Sequence, residues 1–519
     1  MEVIERQGER GAKIRRFSDG RIFFVPLDKL SWESLEYVEG RPLEIPGEKI
    51  VMTPNGETVS LSSNLPIRQA GSSALPKPPP WLKKSIDWLS SNQSSDGMWG
   101  LSGTSVLNVR RGRQSYPPQP DVGSGDAGTT AVAVMALINY LCVESDSNAQ
   151  AALKKGVTKL LDLVRREEIY TSQNMVSSSS RNAMPPYPTL VERKLGPRVN
   201  VALVTQALAR LYLALPESSP DRIKIEQALD KCLDELDGQH EQFVRPKRGW
   251  ASILQTASSL VALEYARLCD RKVPEEMLDE LRSTLTVLFD ERMNRFDLRR
   301  SAGVGLYSFA SSIRANASAA ATASAILPEE IDYESMIESS PGSSASSPGN
   351  RPRSSSLPRP YPVLQRPGLD AFVPKPVDPD TDPAFLYLKK KMDRTKALEL
   401  AEAYRKNSKL LDMLERDDGL LRGFGNNGGE EYLSFYLIGQ SLQLSDQNSW
   451  ENWKGKVSKI VKPLQGPDGS WVGQHCITDR SFCTATVILS LLADREGTIL
   501  RKIPEPVSAE GSSSNLVDR

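Results

Sequence analysis

Trp81-Leu-Lys-Lys-Ser-Ile-Asp-Trp-Leu-Ser-Ser-Asn-Gln93-Ser-Ser-Asp96-Gly97-Met-Trp99 aligns without a gap on Trp453-Lys-Gly-Lys-Val-Ser-Lys-Ile-Val-Lys-Pro-Leu-Gln465-Gly-Pro-Asp468-Gly469-Ser-Trp471. The first Trp, the Gln, the Asp, the Gly and the last Trp coincide. Each copy is followed by an apolar segment led by Thr-Ala, Thr130-Ala131 with Leu137 and Thr484-Ala485 with Leu491. Thr256-Ala257 with Leu263 repeats that half after a degenerate Gly249-Trp250, and Thr205 to Leu211 is a looser copy. Internal self-similarity of this kind is the mark of a fold built by stacking one supersecondary unit.

The unit can be read physically. An amphipathic helix runs into Gln-x-x-Asp-Gly, where glycine supplies a left-handed residue that stops it. The Asp carboxylate fixes the turn by accepting backbone N–H groups, and the Trp beyond the Gly folds back onto the helix pair. The Thr-Ala helix that follows carries small residues, which permit close packing in an inner layer. One such pair cannot bury its own apolar face, so pairs must stack or close on one another. Helical periodicity continues through Val199 to Leu215, Ile223 to Leu236, Ile253 to Leu268 and Met277 to Phe289, and resumes from Asp382 to about Arg495. The expected class is all-α.

Gln-x3-Gly-x-Trp, as at Gln93-Gly97-Trp99 and Gln465-Gly469-Trp471, resembles the repeat of squalene and hopene cyclases and of the β subunits of protein prenyltransferases. The resemblance covers roughly residues 76–310 and 382–495. It implies an (α/α) toroid of paired helices, with the Thr-Ala segments inside and Trp81 to Leu89 in the outer layer. The stretch from Asp468 to Ala485 looks most like uncharacterised bacterial proteins that carry prenyltransferase/squalene-oxidase repeats.

The chemistry does not follow automatically from the fold. Cyclases of this kind start with an Asp kept neutral by neighbouring carboxylates, in the pattern Asp-x-Asp-Asp-Thr. The nearest match, Asp378-Pro379-Asp380-Thr381-Asp382-Pro383, lacks the adjacent pair and reads as a charged turn and helix cap. Asp126 and Asp380 remain the weak catalytic candidates. Protein prenyltransferases hold zinc with an Asp-x-Cys pair and a His, and neither the region of Asp126 nor Glu430-Glu431-Tyr432 has that pattern. A substitute set, His475, Cys476, Asp479 and Cys483, would share a face if the stretch were helical. It reads more simply as a hydrogen-bonded turn leading into an inner helix, and no metal or other cofactor is expected. Asp417-Asp418 and Glu430-Glu431 read as caps near helix N-termini, and Trp99, Trp250 and Trp471 as structural staples.

Composition narrows the function classes. Lys+Arg and Asp+Glu are both 65 of 519 residues, so no basic excess points to nucleic acid. Five scattered cysteines fit reduced thiols rather than a disulfide framework. No apolar run is long enough for a transmembrane segment, and the first residues show no apolar leader, so a cytoplasmic location is expected. Asp19-Gly20 and Asn55-Gly56 between β-formers predict hairpins in a small β-rich or partly ordered extension over residues 1–75. Helical parts are expected over 76–310 and 382–495, with a low-complexity insertion over 311–381 and a disordered tail over 496–519. Ser339 to Pro360 contains nine Ser and five Pro, too little apolar material to offset the entropy of ordering it.

The favoured function is a toroid without the usual catalytic motifs that binds a hydrophobic small molecule or a protein segment. The alternative is an isoprenoid-processing enzyme, a triterpene cyclase or prenyltransferase, with a displaced active site. Cleavage within Ser339 to Pro360 is expected to leave the helical part folded. Far-UV circular dichroism and a thermal melt of the nicked protein check this.

Overall fold

A computed structural model describes residues 2–6, 9–15, 22–26, 61, 65–68, 75–100, 125–170, 190–246, 249–291, 293–328, 381–416, 419, 423, 427–445 and 447–496. The chain divides into two compact units, Met1–Thr58 with Leu101–Gln119, and Val59–Gly100 with Pro120–Arg519. In the first unit β1 (Glu2–Arg6), β2 (Glu9–Arg15) and β3 (Ile22–Pro26) form an antiparallel sheet in the order β1-β2-β3. Arg15 faces Ile22 across β2 and β3, and the expected turn at Asp19-Gly20 between them lies outside the described residues. The expected hairpin at Asn55-Gly56 lies outside the described residues, as does the Ser/Pro-rich stretch 339–360.

The second unit is helical. Its α-helices are α1 (Pro80–Ser91), α2 (Ala127–Leu141), α3 (Ser147–Arg165), α4 (Leu190–Leu195), α5 (Val199–Ala214), α6 (Asp221–Gly238), α7 (His240–Val244) and α8 (Ser252–Leu268). They continue with α9 (Glu275–Thr286), α10 (Gly305–Ile326), α11 (Pro383–Leu388), α12 (Arg394–Arg416), α13 (Gly429–Ser445), α14 (Gln447–Val461) and α15 (Arg480–Leu491). Among the described residues no helix is long and apolar enough to cross a membrane.

Two kinds of long helix alternate. In α2, α5, α8, α13 and α15 nearly every residue is buried, and α10 is buried throughout from Leu306 to Ala317, as a sequence apolar or small all round requires. In α1, α3, α6, α9, α12 and α14 burial is confined to one stripe, for example Leu82, Ile86 and Leu89 in α1 or Trp450, Trp453, Val457 and Val461 in α14. Each striped helix precedes a buried one along the chain. The buried helices pack in succession, α2 on α5, α5 on α8, α8 on α10, α10 on α13 and α13 on α15, and α15 packs on α2.

The two tryptophan-centred stretches adopt closely similar geometry. Trp99 Nε1 donates to Leu89 O at 2.8 Å, and Trp471 Nε1 donates to Val461 O at 2.7 Å, each tying the indole to its own preceding helix. The Trp99 and Trp471 backbone N–H groups both donate at 3.0 Å to the hydroxyl of the Thr-Ala threonine, Thr130 or Thr484. Gln93 Nε2 donates to Gly97 O and to Ala152 O of α3, while Gln465 Nε2 donates to Gly469 O and to Trp81 O of α1. Asp96 and Asp468 accept the N–H two residues on, from Met98 and Ser470. Gly97 and Gly469 have φ of 96° and 97°, and a Cβ on either would come within 2.7 Å of a carbonyl of another striped helix, Lys155 O of α3 or Lys84 O of α1. Glycine is therefore required twice over, for the left-handed backbone and for the close approach. It closes a tight turn rather than stopping the helix, which has already ended at Ser91 in the first copy and Val461 in the second.

Several sequence boundaries need correction. The insertion expected from residue 311 starts later, because α10 runs to Ile326: its Ser- and Ala-rich end mimics low complexity but is small-residue helix packed against α12 and α13. The extension expected to reach residue 75 is shorter. Leu61, Leu65 and Ile67 are buried in the helical core, and Arg68 N–H donates to Ala214 O at 2.8 Å. Glu496, assigned to the tail, is buried as well. Trp250, expected as a staple, is exposed, with the Lys194 ammonium 5.9 Å from its ring centre.

Trp471→Ala and Trp99→Ala are each expected to lower unfolding stability by about 3–5 kcal/mol, the range for truncating a buried aromatic. Urea denaturation of the purified variants measures this. A loss below about 1 kcal/mol at both positions would show that the indoles do not hold these turns.

Candidate functional site

The start of α13 is fixed by two adjacent glycines. A Cβ on Gly428 would lie 2.7 Å from His475 O, and one on Gly429 would lie 2.7 Å from Ile477 Cγ2. This approach lets Gly429 N–H donate to Ile477 O at 2.9 Å and Gln474 N–H donate to Asn427 O at 2.8 Å. The loop ahead of α15 is thereby laced to the first turn of α13. Helix N–H groups there favour negative charge, and Glu430 and Glu431 both stand in that turn, fully buried.

Glu430 Oε2 accepts the Ile477 N–H at 3.1 Å, while its buried Oε1 has no hydrogen-bond partner in the structure. Glu431 accepts the Gly428 N–H on Oε2 at 2.9 Å and the Tyr307 hydroxyl on Oε1 at 2.8 Å. His475 Nε2 lies 3.4 Å from that Oε1. Burial, and then the Glu431 charge, push the Glu430 carboxyl well above the usual range. Burial and the neighbouring carboxylates likewise raise the Cys476 thiol and the Tyr307 hydroxyl. Cys476 has φ of 52°, a left-handed conformation uncommon for a residue with a side chain. Donor atoms of Glu430, His475 and Cys476 all lie within 4.8 Å of one another.

Comparison with protein-family models, curated proteins and solved structures returned no match. The site's reading therefore rests on its own geometry.

That geometry sorts the sequence candidates. Of the four spaced residues, His475 and Cys476 are brought together with Glu430, but Asp479 and Cys483 serve other purposes. α15 begins only at Arg480, so the helical face that would have aligned all four does not form. Asp479 instead caps α15 by accepting the Phe482 N–H at 2.7 Å, and Cys483 is buried with Sγ donating to Ile477 O at 3.4 Å. Asp126 caps α2, accepting the Thr129 N–H at 2.7 Å and the Thr129 hydroxyl at 2.6 Å. Burial pushes its carboxyl up to about 7 against those two hydrogen bonds, and the Asp479 charge adds to the rise. Asp380 lies outside the described residues; Asp382, beside it, caps α11 and pairs with Arg405. The Asp-x-Cys arrangement implied by the prenyltransferase resemblance does not fit, since the residue two beyond Glu430 is Tyr432. Glu430 was missed as a member of this cluster because it reads as a cap. The Gly428-Gly429 pair ahead of it was the signal of an unusually close neighbour.

A second buried polar group lies toward the other ends of the buried helices. Arg210 pairs with Glu496 at 2.8 Å and donates to the hydroxyls of Tyr265 and Tyr436, both of which also donate to Glu496. Gln440 Nε2 donates to Glu496 Oε2 at 3.1 Å, and Asn139 Nδ2 donates to Leu492 O at 3.1 Å. Charge here is balanced in place, with Glu496 opposite Arg210 and Glu264 opposite Arg314.

Asp126 gives a pH dependence of definite sign. A carboxyl raised from 3.8 to about 7 stabilises the fold while protonated, so its contribution is present below about pH 4 and is lost as pH rises through about 7. Asp126→Asn, which keeps an acceptor for the Thr129 N–H, is expected to flatten the stability decline between pH 5 and 8 by on the order of 1–3 kcal/mol. Urea midpoints across that range report it, and identical slopes in the two proteins would show that Asp126 ionises normally.

Proposed function

We propose that the helical unit is an (α/α) toroid of terpene-cyclase and prenyltransferase type, built from repeats. In this reading α2, α5, α8, α10, α13 and α15 form the inner layer, and α1, α3, α6, α9, α12 and α14 form the outer. It acts as a binding scaffold, holding a hydrophobic ligand or a protein segment at the end where the inner helices begin. The observation that carries this reading is the contrast between the two buried polar groups. The one around Arg210 and Glu496 pairs opposite charges, with Arg210 Nε and Nη1 left without hydrogen-bond partners, and is read as a plug. The one around Glu430 and Glu431 gathers acidic groups beside part-buried His475 and Cys476, and suits a cationic or hydrogen-bond-donating head on an apolar body.

A second reading, an isoprenoid-processing enzyme with a displaced acid, is favoured by one feature. Burial and the Glu431 charge hold the Glu430 carboxyl well above its usual range, and proton-initiated cyclisation needs an acid raised in this way.

The test is titration of the full chain with a prenyl alcohol, the matching prenyl diphosphate and squalene, followed by tryptophan emission. Saturable binding of the alcohol, with the diphosphate weaker by about tenfold because Glu430 and Glu431 repel it, is the expected result. No binding of any of the three overturns the hydrophobic-ligand reading. Conversion of squalene or the diphosphate to product, lost in Glu430→Gln, replaces it with the enzyme reading.

A further inference from the structure

We propose that Glu430, His475 and Cys476 form a divalent-metal site, selective for zinc, that joins the first turn of α13 to the loop ahead of α15. The site does not depend on the toroid's binding role, since a chain that takes no hydrophobic ligand could still hold the ion.

Three observations converge on it. The scaffold assembles the donors without a metal: the hydrogen bonds Gly429 N–H to Ile477 O, Gln474 N–H to Asn427 O and Ile477 N–H to Glu430 Oε2 bring together two segments far apart in sequence. They leave one donor atom from each of the three residues within 4.8 Å of the others. Side-chain rotations moving these atoms by about 1 Å would bring them to zinc–ligand distances of about 2.0–2.3 Å.

The second observation is the Glu430 carboxylate. It is fully buried, uses Oε2 on the Ile477 N–H, has a buried Oε1 that no N–H or O–H reaches, and stands within hydrogen-bond reach of the Cys476 thiol. An orphaned carboxylate oxygen costs free energy that a bound cation would recover.

The third is the charge inventory. Glu430 and Glu431 are adjacent, fully buried carboxyls that act on each other, and His475 Nε2 lies 3.4 Å from Glu431 Oε1. A divalent ion offsets that accumulation of acids, and on binding the thiol gives up its proton to solvent.

The donor types select the metal. A thiolate with an imidazole and a carboxylate suits zinc, whereas magnesium and calcium prefer oxygen donors alone. Glu431, already beside His475 Nε2, would orient the imidazole as carboxylates commonly do for metal-bound histidine. Three protein donors leave a fourth position for water or a ligand atom. The arrangement is this chain's own. Its cysteine and histidine come from one loop and its carboxylate from a helix start, and no Asp-x-Cys pair is involved.

The experiment strips the purified full chain with a chelator, reloads it with zinc, removes excess and measures metal by mass spectrometry. About one zinc per chain is expected, falling to about a tenth of that or less in Cys476→Ser and in His475→Ala. Each variant is compared with the wild type by far-UV circular dichroism in its metal-free form. Cobalt loading supplies a readout independent of protein stability, a thiolate-to-cobalt charge-transfer band that Cys476→Ser abolishes. Failure to retain zinc after reloading overturns the proposal, as does full retention in Cys476→Ser or a cobalt complex without the thiolate band. Zinc retention by a chain that binds no prenyl compound would sink the binding reading and leave the metal site standing.

Discussion

The indole N–H of a buried tryptophan, donated to a carbonyl at the end of the preceding helix, is the contact on which this architecture turns. Trp99 and Trp471 each make it. Once the indole is anchored, its own backbone N–H is placed on the hydroxyl of the threonine that opens the next buried helix. The same turn presents a glutamine amide to a different striped helix, α3 in one case and α1 in the other. A single short motif thus joins three helices. Because the turn of the last pair rests on the first striped helix, the joint also links the two extremes of the helical sequence. There the edge of Trp471 meets Trp81 at 6.4 Å between ring centres.

Packing so complete leaves polar groups few places to go, and the buried helices resolve the difficulty in two ways. Around Arg210 the solution is pairing. A guanidinium, two tyrosine hydroxyls and an amide share one carboxylate, so opposite charges meet inside the cluster, although Arg210 Nε and Nη1 and Gln440 Oε1 keep no hydrogen-bond partner. Around Glu430 like charges meet instead. Two buried carboxyls stand side by side, with a thiol, a phenol and a part-buried imidazole around them. Groups held in that state are commoner at working sites than in structural cores, which is why the functional proposals concentrate there.

Much of the fold was legible from local signals. Gln93, Asp96, Gly97 and Trp99 announced a turn whose every member has an identifiable job, and the Thr-Ala leaders after it marked small-residue helices, of which those at Thr130, Thr256 and Thr484 are buried. Errors arose where composition and structure part ways. The Ser- and Ala-rich end of α10 resembles a linker because small residues are shared by disordered chain and by tightly packed helix. Trp250 lies in a degenerate copy that lacks the Gln and Asp of the full motif, and its ring faces solvent.

By itself the sequence determined the helical class and the turn chemistry of the repeat, because each depends on residues within a few positions of one another. Only the tertiary structure decided that Glu430 meets His475 and Cys476 while Asp479 and Cys483 turn away. Helical spacing had grouped the latter four, but a helix that begins at Arg480 cannot align residues that precede it. What replaced that grouping was backbone contact between two separate segments, made possible by Gly428 and Gly429. Nothing in the order of residues specifies which distant loop will fill the space a missing side chain leaves.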